Sequence, residues 1–207
     1  MQITPETQPE LGLSVTEQAR RAQIISATIA TIAELGYRKT SFAKIKERAG
    51  LSSTRIITYH FTNKAGLMQN VLTSAIAPKE QFLADRVADL KDRSELLRAY
   101  IDTEIEFLRS HPQFVRVLTE LAANSDDEDG WFMTGPMIEQ LRTGRIERQL
   151  VQGQNEGAFG AFNPKVMAMS IAQAIDGVAA AAAADPAIDY DAYAKELGDL
   201  FVKATQA

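Results

Sequence analysis

Apolar residues recur at three- and four-residue steps along most of the chain, in stretches bounded by glycine or proline. This spacing gives a helix one buried face. Alternating β-branched runs joined by hairpin turns, the pattern of half-buried strands, are missing. The pattern therefore predicts an all-α fold. Helices are expected at about 14–35, 41–49, 52–60, 64–77, 79–90, 94–110, 112–124, 136–157, 164–184 and 189–205.

The first helix has clear signals at both of its ends. Ser14 and Glu17 have the spacing of a capping box, and Gly36 follows Leu35 where a helix C-cap is expected. Residues 1–13, with two prolines and several polar residues, are predicted to form a flexible arm. The buried stripe of the helix is predicted to contain Ala22, Ile25, Ile29 and Ile32.

Two short helices with a tight joint follow. Thr40 or Ser41 can cap one of them, Gly50 ends it, Leu51 fills the corner, and Ser52 can cap the next. This order is typical of a helix-turn-helix unit. Any corner between two helices also needs a glycine and an apolar plug, so spacing alone leaves both interpretations open.

The second short helix is unusually polar. Hydroxyls and an arginine on a short exposed helix suit hydrogen bonds to phosphates and base edges, whereas a merely solvated helix more often uses Glu, Lys and Ala. Lys64, near the start of the next helix, adds a cation where phosphate is favoured. The polar residues of this stretch are Ser52, Ser53, Thr54, Arg55, Thr58, Tyr59 and His60.

Charge is distributed unevenly along the 207 residues, whose net charge is −5. Residues 16–70 contain nine Lys or Arg and three Glu, a net charge of +6, while residues 71–207 carry −9. A basic first third indicates a surface for a polyanion. Chance clustering on a solvated face is the alternative that charge alone leaves open.

The segment from Arg20 to Leu72 resembles the DNA-binding domain of TetR-type transcriptional regulators. Two features depart from the usual family pattern: the stretch before Phe61 is one residue longer, and Lys46 replaces a small residue. The landmarks that carry the resemblance are Gly36-Tyr37, Thr40-Ser41, Ile45, Ala49-Gly50-Leu51-Ser52, Tyr59-His60-Phe61, Lys64 and Leu67.

The resemblance implies a three-helix helix-turn-helix module at 14–74 and a helical ligand-binding and dimerisation domain at 75–207. It further implies a homodimeric repressor on a near-palindromic double-stranded DNA operator, controlled by a small-molecule effector. Thr40, Tyr59 and Lys64 then correspond to DNA-backbone contacts. The rest of the implied DNA interface consists of Ser41, Ser52, Ser53, Thr54, Arg55, Thr58 and His60.

The last two helices are rich in apolar and small residues. These helices either complete the core of the chain or meet their symmetry mates in a four-helix bundle, and the resemblance favours the second interpretation. The predicted dimer interface contains Ile171, Ala174, Val178, Ala181, Tyr193, Leu197 and Leu200.

The middle of the chain is rich in methionine and aromatic residues, which fill an ordinary core or line an adaptable apolar pocket. The resemblance raises a pocket for an apolar or amphipathic ligand to equal standing with an ordinary core. Its predicted lining contains Tyr100, Phe107, His111, Phe114, Trp131, Met137 and Met167.

Other classes of protein find little support. The chain has no cysteine and two well-separated histidines, and it lacks the common hydrolase motifs, so we expect no enzyme, cofactor or metal site. No membrane partner is expected, and a cytoplasmic location is predicted. A DNA-binding regulator without a ligand, and a helical sensor that does not bind DNA, are the remaining alternatives.

Overall fold

The computed structural model describes residues 14–125, 130–131, 133–185 and 187–206, which contain ten α-helices and no strand. The all-α prediction is confirmed, while the arm predicted at 1–13 lies outside the described residues. The helices are α1 Val15–Leu35, α2 Phe42–Arg48, α3 Arg55–Phe61, α4 Lys64–Val87, α5 Arg93–Ser110, α6 Pro112–Ala123, α7 Gly135–Arg142, α8 Gly144–Asn155, α9 Pro164–Ala184 and α10 Tyr190–Thr205.

Helix α1 begins with the predicted capping box. The Ser14 hydroxyl accepts the Glu17 N–H at 3.3 Å, and the Glu17 carboxylate accepts the Ser14 N–H at 2.8 Å. Helix α1 ends before Gly36, whose φ of +80° favours glycine. Its buried face differs slightly from the prediction, because Ala22 is exposed and Ile24 is buried instead.

Two predicted helix boundaries are wrong. Helix α4 continues through Pro78, although proline cannot donate the helical hydrogen bond at that position. Packing of α4 against α1, α5 and α6 stabilises a longer helix than the local rule suggests. Conversely, the helix predicted at 136–157 is divided at Thr143, whose φ of −121° lies outside the helical range.

The buried residues form two hydrophobic clusters. The first joins α1, α2, α3 and the first half of α4 to α6, and it includes Val117, Leu121 and Trp131. The second is built from α5, α8, α9, α10 and Leu83 of α4. The domain boundary predicted at residue 74 thus lies inside α4, a single helix that contributes to both clusters.

Helix α9 is long and apolar enough to cross a membrane by length and composition alone. The structure accounts for the apolar residues of α9 without a membrane. Ile171, Ile175 and Val178 are buried within the chain, while Val166 and Met169 remain exposed on another side. Both the core and an outer face of α9 therefore use apolar residues.

Gly153 of α8 leaves no space for a side chain, since an added Cβ would lie 2.2 Å from Cδ2 of the buried Phe159 ring. We expect Gly153→Ala to lower the free energy of unfolding by about 1–3 kcal/mol through overpacking. Urea unfolding of the variant and the parent measures this difference.

The matched control is Gly135→Ala at the start of α7, where no neighbouring atom lies within 4 Å of the added Cβ. Equal stability of Gly153→Ala and the parent would show that Phe159 can move away at no cost.

Candidate nucleic-acid interface

The α2–α3 corner is closed by local hydrogen bonds and one apolar side chain. The Ser41 hydroxyl accepts the Lys44 N–H at 3.4 Å at the start of α2. Gly50 has a φ of +64°, and the next residue, Leu51, is buried with its N–H bonded to the Lys46 carbonyl at 2.9 Å. The predicted glycine joint and apolar plug are both present, as the helix-turn-helix interpretation of this corner requires.

Helix α3 begins later than the sequence predicts. Its first residue is Arg55, and Ser52 does not cap it; instead, the Ser53 hydroxyl accepts the Arg55 N–H at 3.2 Å. Ile57 and Phe61 face the core. The turn before α3 is therefore longer than predicted, and Arg55 lies at the exposed start of the helix.

The structure brings nine of the ten predicted DNA-binding residues to the surface of this unit. Thr40 is the exception: its side chain is buried, and its hydroxyl donates to the Gly36 carbonyl at 2.9 Å. Thr40 therefore stabilises the α1–α2 turn, so its predicted hydroxyl contact with DNA is corrected. Ser41, Ser52, Arg55, Thr58 and Tyr59 are exposed, and Ser53, Thr54, His60 and Lys64 are partly buried.

Arg21 of α1 holds the end of α3 in place, a role that the sequence analysis missed. Its guanidinium donates to the His60 carbonyl and, at 2.9 Å, to the Asn70 side chain of α4. The same group lies 4.5 Å from the centre of the Phe61 ring. Arg21 thus connects α1, α3 and α4, and only the tertiary structure brings these partners together.

The environment of His60 favours its neutral form. Partial burial lowers the pKa of His60, and the positive charges of Arg21 and Arg20 lower it further, while Glu17 acts in the opposite direction. The imidazole also lies edge-on to the exposed Tyr59 ring, with centroids 5.0 Å apart. At neutral pH, His60 therefore offers hydrogen bonds at this surface without a full positive charge.

The joint between α3 and α4 has a strained backbone. Thr62 has a φ of +65°, and the Asn63 N–H bonds to the Phe61 carbonyl at 2.7 Å across it. The following Lys64 ammonium lies 4.4 Å from the centre of the buried Tyr37 ring. The joint and this cation–π contact orient Lys64 beside α3.

Helix α6 contacts the end of α1 through polar groups. The Glu120 carboxylate accepts the Tyr37 N–H at 2.7 Å, and Arg38 donates to the Asn124 side chain at 2.9 Å. Trp131, beyond α6, donates its indole N–H to the Leu121 carbonyl at 3.0 Å and is buried in the first cluster. Part of the predicted regulatory domain is therefore packed against the predicted DNA-binding domain.

The residues of the predicted ligand pocket are dispersed. Tyr100 and Met167 belong to the second cluster, Trp131 belongs to the first, and Met137 is half exposed on α7. The remaining three form a stack in which the His111 ring lies 5.2 Å from Phe107 and 5.5 Å from Phe114, measured between centroids. The seven residues are thus divided between the two hydrophobic clusters, this ring stack and the surface of α7.

A cleft of about 410 Å³ lies between α4, α5 and α10. It contains none of the predicted pocket residues. Charged residues dominate its lining, which consists of Arg86, Arg98, Asp102, Ile105, Glu106, Arg109, Tyr190, Asp191, Ala194 and Lys195.

The predicted dimer-interface residues of α9 and α10 differ in their burial. Ile171 and Val178 are buried inside the chain, so they are corrected from interface to core residues. Ala174, Ala181 and Leu197 are partly buried, and Tyr193 and Leu200 are exposed. The outer faces of α9 and α10 instead carry the exposed apolar residues Val166, Met169, Tyr193 and Leu200, which we call the outer apolar face.

Comparison with known proteins gives a family match to the helix-turn-helix region. Residues 24–71 match the family model of bacterial regulatory proteins, tetR family. An HTH-type transcriptional regulator BetI from Burkholderia ambifaria is 37% identical over 97 residues, 45% of this chain and 46% of that relative. The chain thus spans about half the length of this curated relative.

Solved structures share the fold over most of the chain. The fatty acid degradation regulator FadR from Bacillus halodurans has a TM-score of 0.72 at 20% identity, covering 88% of this chain and 94% of FadR. AibR, solved in complex with isovaleryl coenzyme A and operator DNA, has a TM-score of 0.70 at 19% identity, covering 87% and 97%. Residues 24–71, carried on this all-α fold, are thus similar to the helix-turn-helix region of the tetR family of bacterial regulatory proteins.

Proposed function

We propose that this chain is a sequence-specific DNA-binding transcriptional regulator, acting in the cytoplasm as a homodimeric repressor under the control of a small molecule. The observation that carries the proposal is the surface of α3. Arg55, Thr58 and Tyr59 are exposed on a helix whose other side is fixed in the first hydrophobic cluster. A rigid helix with exposed donors and acceptors is what major-groove recognition requires.

The surroundings of α3 support DNA as the partner. The segment 16–70 has a net charge of +6, and Lys64 lies beside the joint that follows α3. Cations near phosphates supply affinity, whereas side chains at base edges supply specificity. Arg55 is our candidate for base recognition, and Lys64 is our candidate for phosphate contact.

The outer apolar face supports a homodimer. Met169 and Leu200 are 53% and 56% exposed, which costs free energy in an isolated chain. Pairing α9 and α10 with the same helices of a second copy would bury this face in an isologous interface. Two α3 helices would then contact half-sites about 34–36 Å apart, one turn of DNA.

Regulation by a small molecule is supported by the contacts between the two halves of the chain. Helix α4 belongs to both hydrophobic clusters, and α6 bonds to the end of α1 through Glu120. An effector that prefers one arrangement of α4 and α6 would change the separation of the two DNA-binding units in a dimer. AibR, which shares the fold, was solved with both a coenzyme A ester and operator DNA.

Selection of bound fragments from sheared genomic DNA of the source organism tests the proposal directly. We expect enrichment of a few sites that contain an inverted repeat. Binding without enrichment, abolished at about physiological salt, would reduce the interaction to non-specific phosphate contacts and contradict the proposal.

Arg55→Ala is expected to weaken binding to the selected operator by about 1–3 kcal/mol, because it removes a side chain that reads a base. Binding to random DNA should change much less. The control is Arg48→Ala, which removes the same charge from α2 where Arg48 pairs with Glu34. Equal losses on operator and random DNA would instead make Arg55 a phosphate contact. Fluorescence anisotropy with both DNAs measures the difference.

Arg21→Lys is expected to weaken operator binding about tenfold while leaving the salt dependence unchanged. Lysine keeps the charge but cannot reach the His60 carbonyl and Asn70 together as a planar guanidinium does. If Arg21 acts by positioning α3, Arg21→Lys should reduce operator affinity by a smaller factor in the Arg55→Ala background than in the parent. Additive losses, together with a reduced salt slope, would show direct phosphate contact by Arg21.

Leu200→Glu is expected to convert the dimer to a monomer and abolish high-affinity operator binding, since it introduces charge into an apolar interface. Sedimentation equilibrium measures the association state. Val15→Glu is the control for the association state alone, because Val15 is an 83% exposed residue at the start of α1, outside the outer apolar face. A dimer of unchanged stability in Leu200→Glu would exclude this face as the interface.

A further inference from the structure

The cleft between α4, α5 and α10 has about 410 Å³ of space, which is within the size range of sites for small molecules. Its walls come from segments that are far apart in the chain, with Arg86 on α4, residues 98–109 on α5 and residues 190–195 on α10. Seven of its ten lining residues are charged, four of them basic and three acidic. A cleft of this composition suits a charged ligand better than an apolar one.

Five of these seven charged residues have a counter-charge inside the chain. The pairs are Arg98–Asp199, Glu106–Arg109, Arg109–Asp191 and Lys195–Asp199. Because Arg98 and Arg109 are about three turns apart on α5, these pairs lie toward both ends of the cleft. A ligand therefore does not have to neutralise any of these five residues.

Arg86 and Asp102 are the two exceptions. Asp102 lies between Arg98 and Arg109 on α5, and Arg86 reaches the same region from α4, where it donates to the hydroxyl of the adjacent Thr103 at 3.4 Å. Within the described part of the chain, neither Arg86 nor Asp102 has an ion pair. Water can hydrate each charge separately, but here opposite charges on adjacent helices line one cleft without contacting each other. A molecule with both an anionic and a cationic group can contact both.

We infer that this cleft binds a small α-amino acid, whose carboxylate accepts hydrogen bonds from Arg86 while its ammonium donates to Asp102. The guanidinium has a planar fork of donors that matches a carboxylate. Since Arg86 bonds to the residue next to Asp102, the two groups fit a ligand whose charges are close together. Tyr190 and Ala194 line the cleft from α10, where the ligand's own side chain would lie.

The environment of Asp102 favours a ligand ammonium. Burial raises the pKa of Asp102, and the charges of Arg86 and Arg98 only partly offset this effect. The ionised carboxylate has thus lost more hydration than these two cations replace. An ammonium at hydrogen-bond distance would stabilise it, whereas a ligand with a carboxylate alone would bring a like charge next to Asp102.

The cleft remains open in the proposed dimer. Asp191 and Lys195 lie two residues before and after Tyr193, which places them on the opposite side of α10 from the outer apolar face. Arg86 is in the last turn of α4, whose first residue, Lys64, lies beside α3. An amino acid bound at Arg86 would hold the end of α4 against α5 and α10 and favour one position of α3, a role that rests on the proposed function.

The test compares L-norleucine with three probes that alter its charged groups. Hexanoate lacks the ammonium, pentylammonium lacks the carboxylate, and 6-aminohexanoate is an isomer that places the two charges at opposite ends. Isothermal titration of the full chain, without DNA, measures each dissociation constant. We expect norleucine to bind more tightly than each of the other probes by about tenfold or more.

Two substitutions separate the roles of the two charges. Asp102→Asn should lower norleucine affinity by about tenfold or more, without lowering hexanoate affinity, because it removes only the partner of the ammonium. Arg86→Gln should lower the affinities of norleucine and hexanoate without lowering that of pentylammonium. A general defect of the fold would instead lower all of them together. Asp85→Asn on α4 and Arg116→Gln on α6 are matched controls, because both residues are exposed and lie outside the lining of the cleft.

Three results would overturn the inference: no binding of norleucine, equal or tighter binding of any of the other three probes, or unchanged norleucine binding in Asp102→Asn or Arg86→Gln. The ranking of the four probes uses the parent protein, so it does not depend on how well the variants fold.

Operator binding by the same preparations is measured separately, with and without norleucine. Loss of operator recognition with intact norleucine binding would contradict the proposed regulator and leave the amino-acid site standing. Operator recognition without norleucine binding would do the reverse. An operator affinity that bound norleucine does not change would overturn the regulatory role of the cleft.

Discussion

Helices α1, α2 and α3 do not form their hydrophobic core alone, because residues of α4 and α6 belong to the same cluster. A module of about 60 residues is at the lower limit for a stable core of its own. Here Val117 and Leu121 of α6, together with Trp131 beyond it, complete the first hydrophobic cluster. The position of α3 consequently depends on residues that lie far along the chain. In the proposed regulator, this dependence connects the C-terminal half of the molecule to the candidate DNA-binding surface.

Hydrogen bonds and a cation–π contact fix the relative positions of the helices on both sides of this connection. The Glu120 carboxylate bonds to the backbone of Tyr37, whose ring is in turn contacted by the Lys64 ammonium. On the other side of the unit, Arg21 fixes the end of α3 to α4. Apolar packing tolerates small displacements, but hydrogen bonds at these distances do not. A tilt of α4 or α6 would therefore be transmitted to α3 as a change of position.

The candidate DNA interface around α3 could be predicted from the sequence more completely than the pocket and dimer interface proposed for the C-terminal half. The polar residues of α3 are local in sequence, and glycine at position 50 marks the corner that exposes them. Thr40 was misassigned because a hydroxyl near a helix start can cap, bond back to a carbonyl or face solvent, and local spacing does not distinguish these roles. Arg21 was missed because its partners lie 39 and 49 residues away.

The sequence by itself determined the helical class, the capping box at Ser14, the glycine corner at Gly50 and the basic charge of the first third, since these depend on near neighbours and composition. Tertiary structure alone decided which side of α9 is buried, that α4 continues through Pro78, and where Trp131 packs. The reason is physical. Propensity and capping act within a few residues, whereas burial depends on which distant helix covers a face. The local sequence around an apolar residue therefore does not tell whether its face of the helix is covered or exposed.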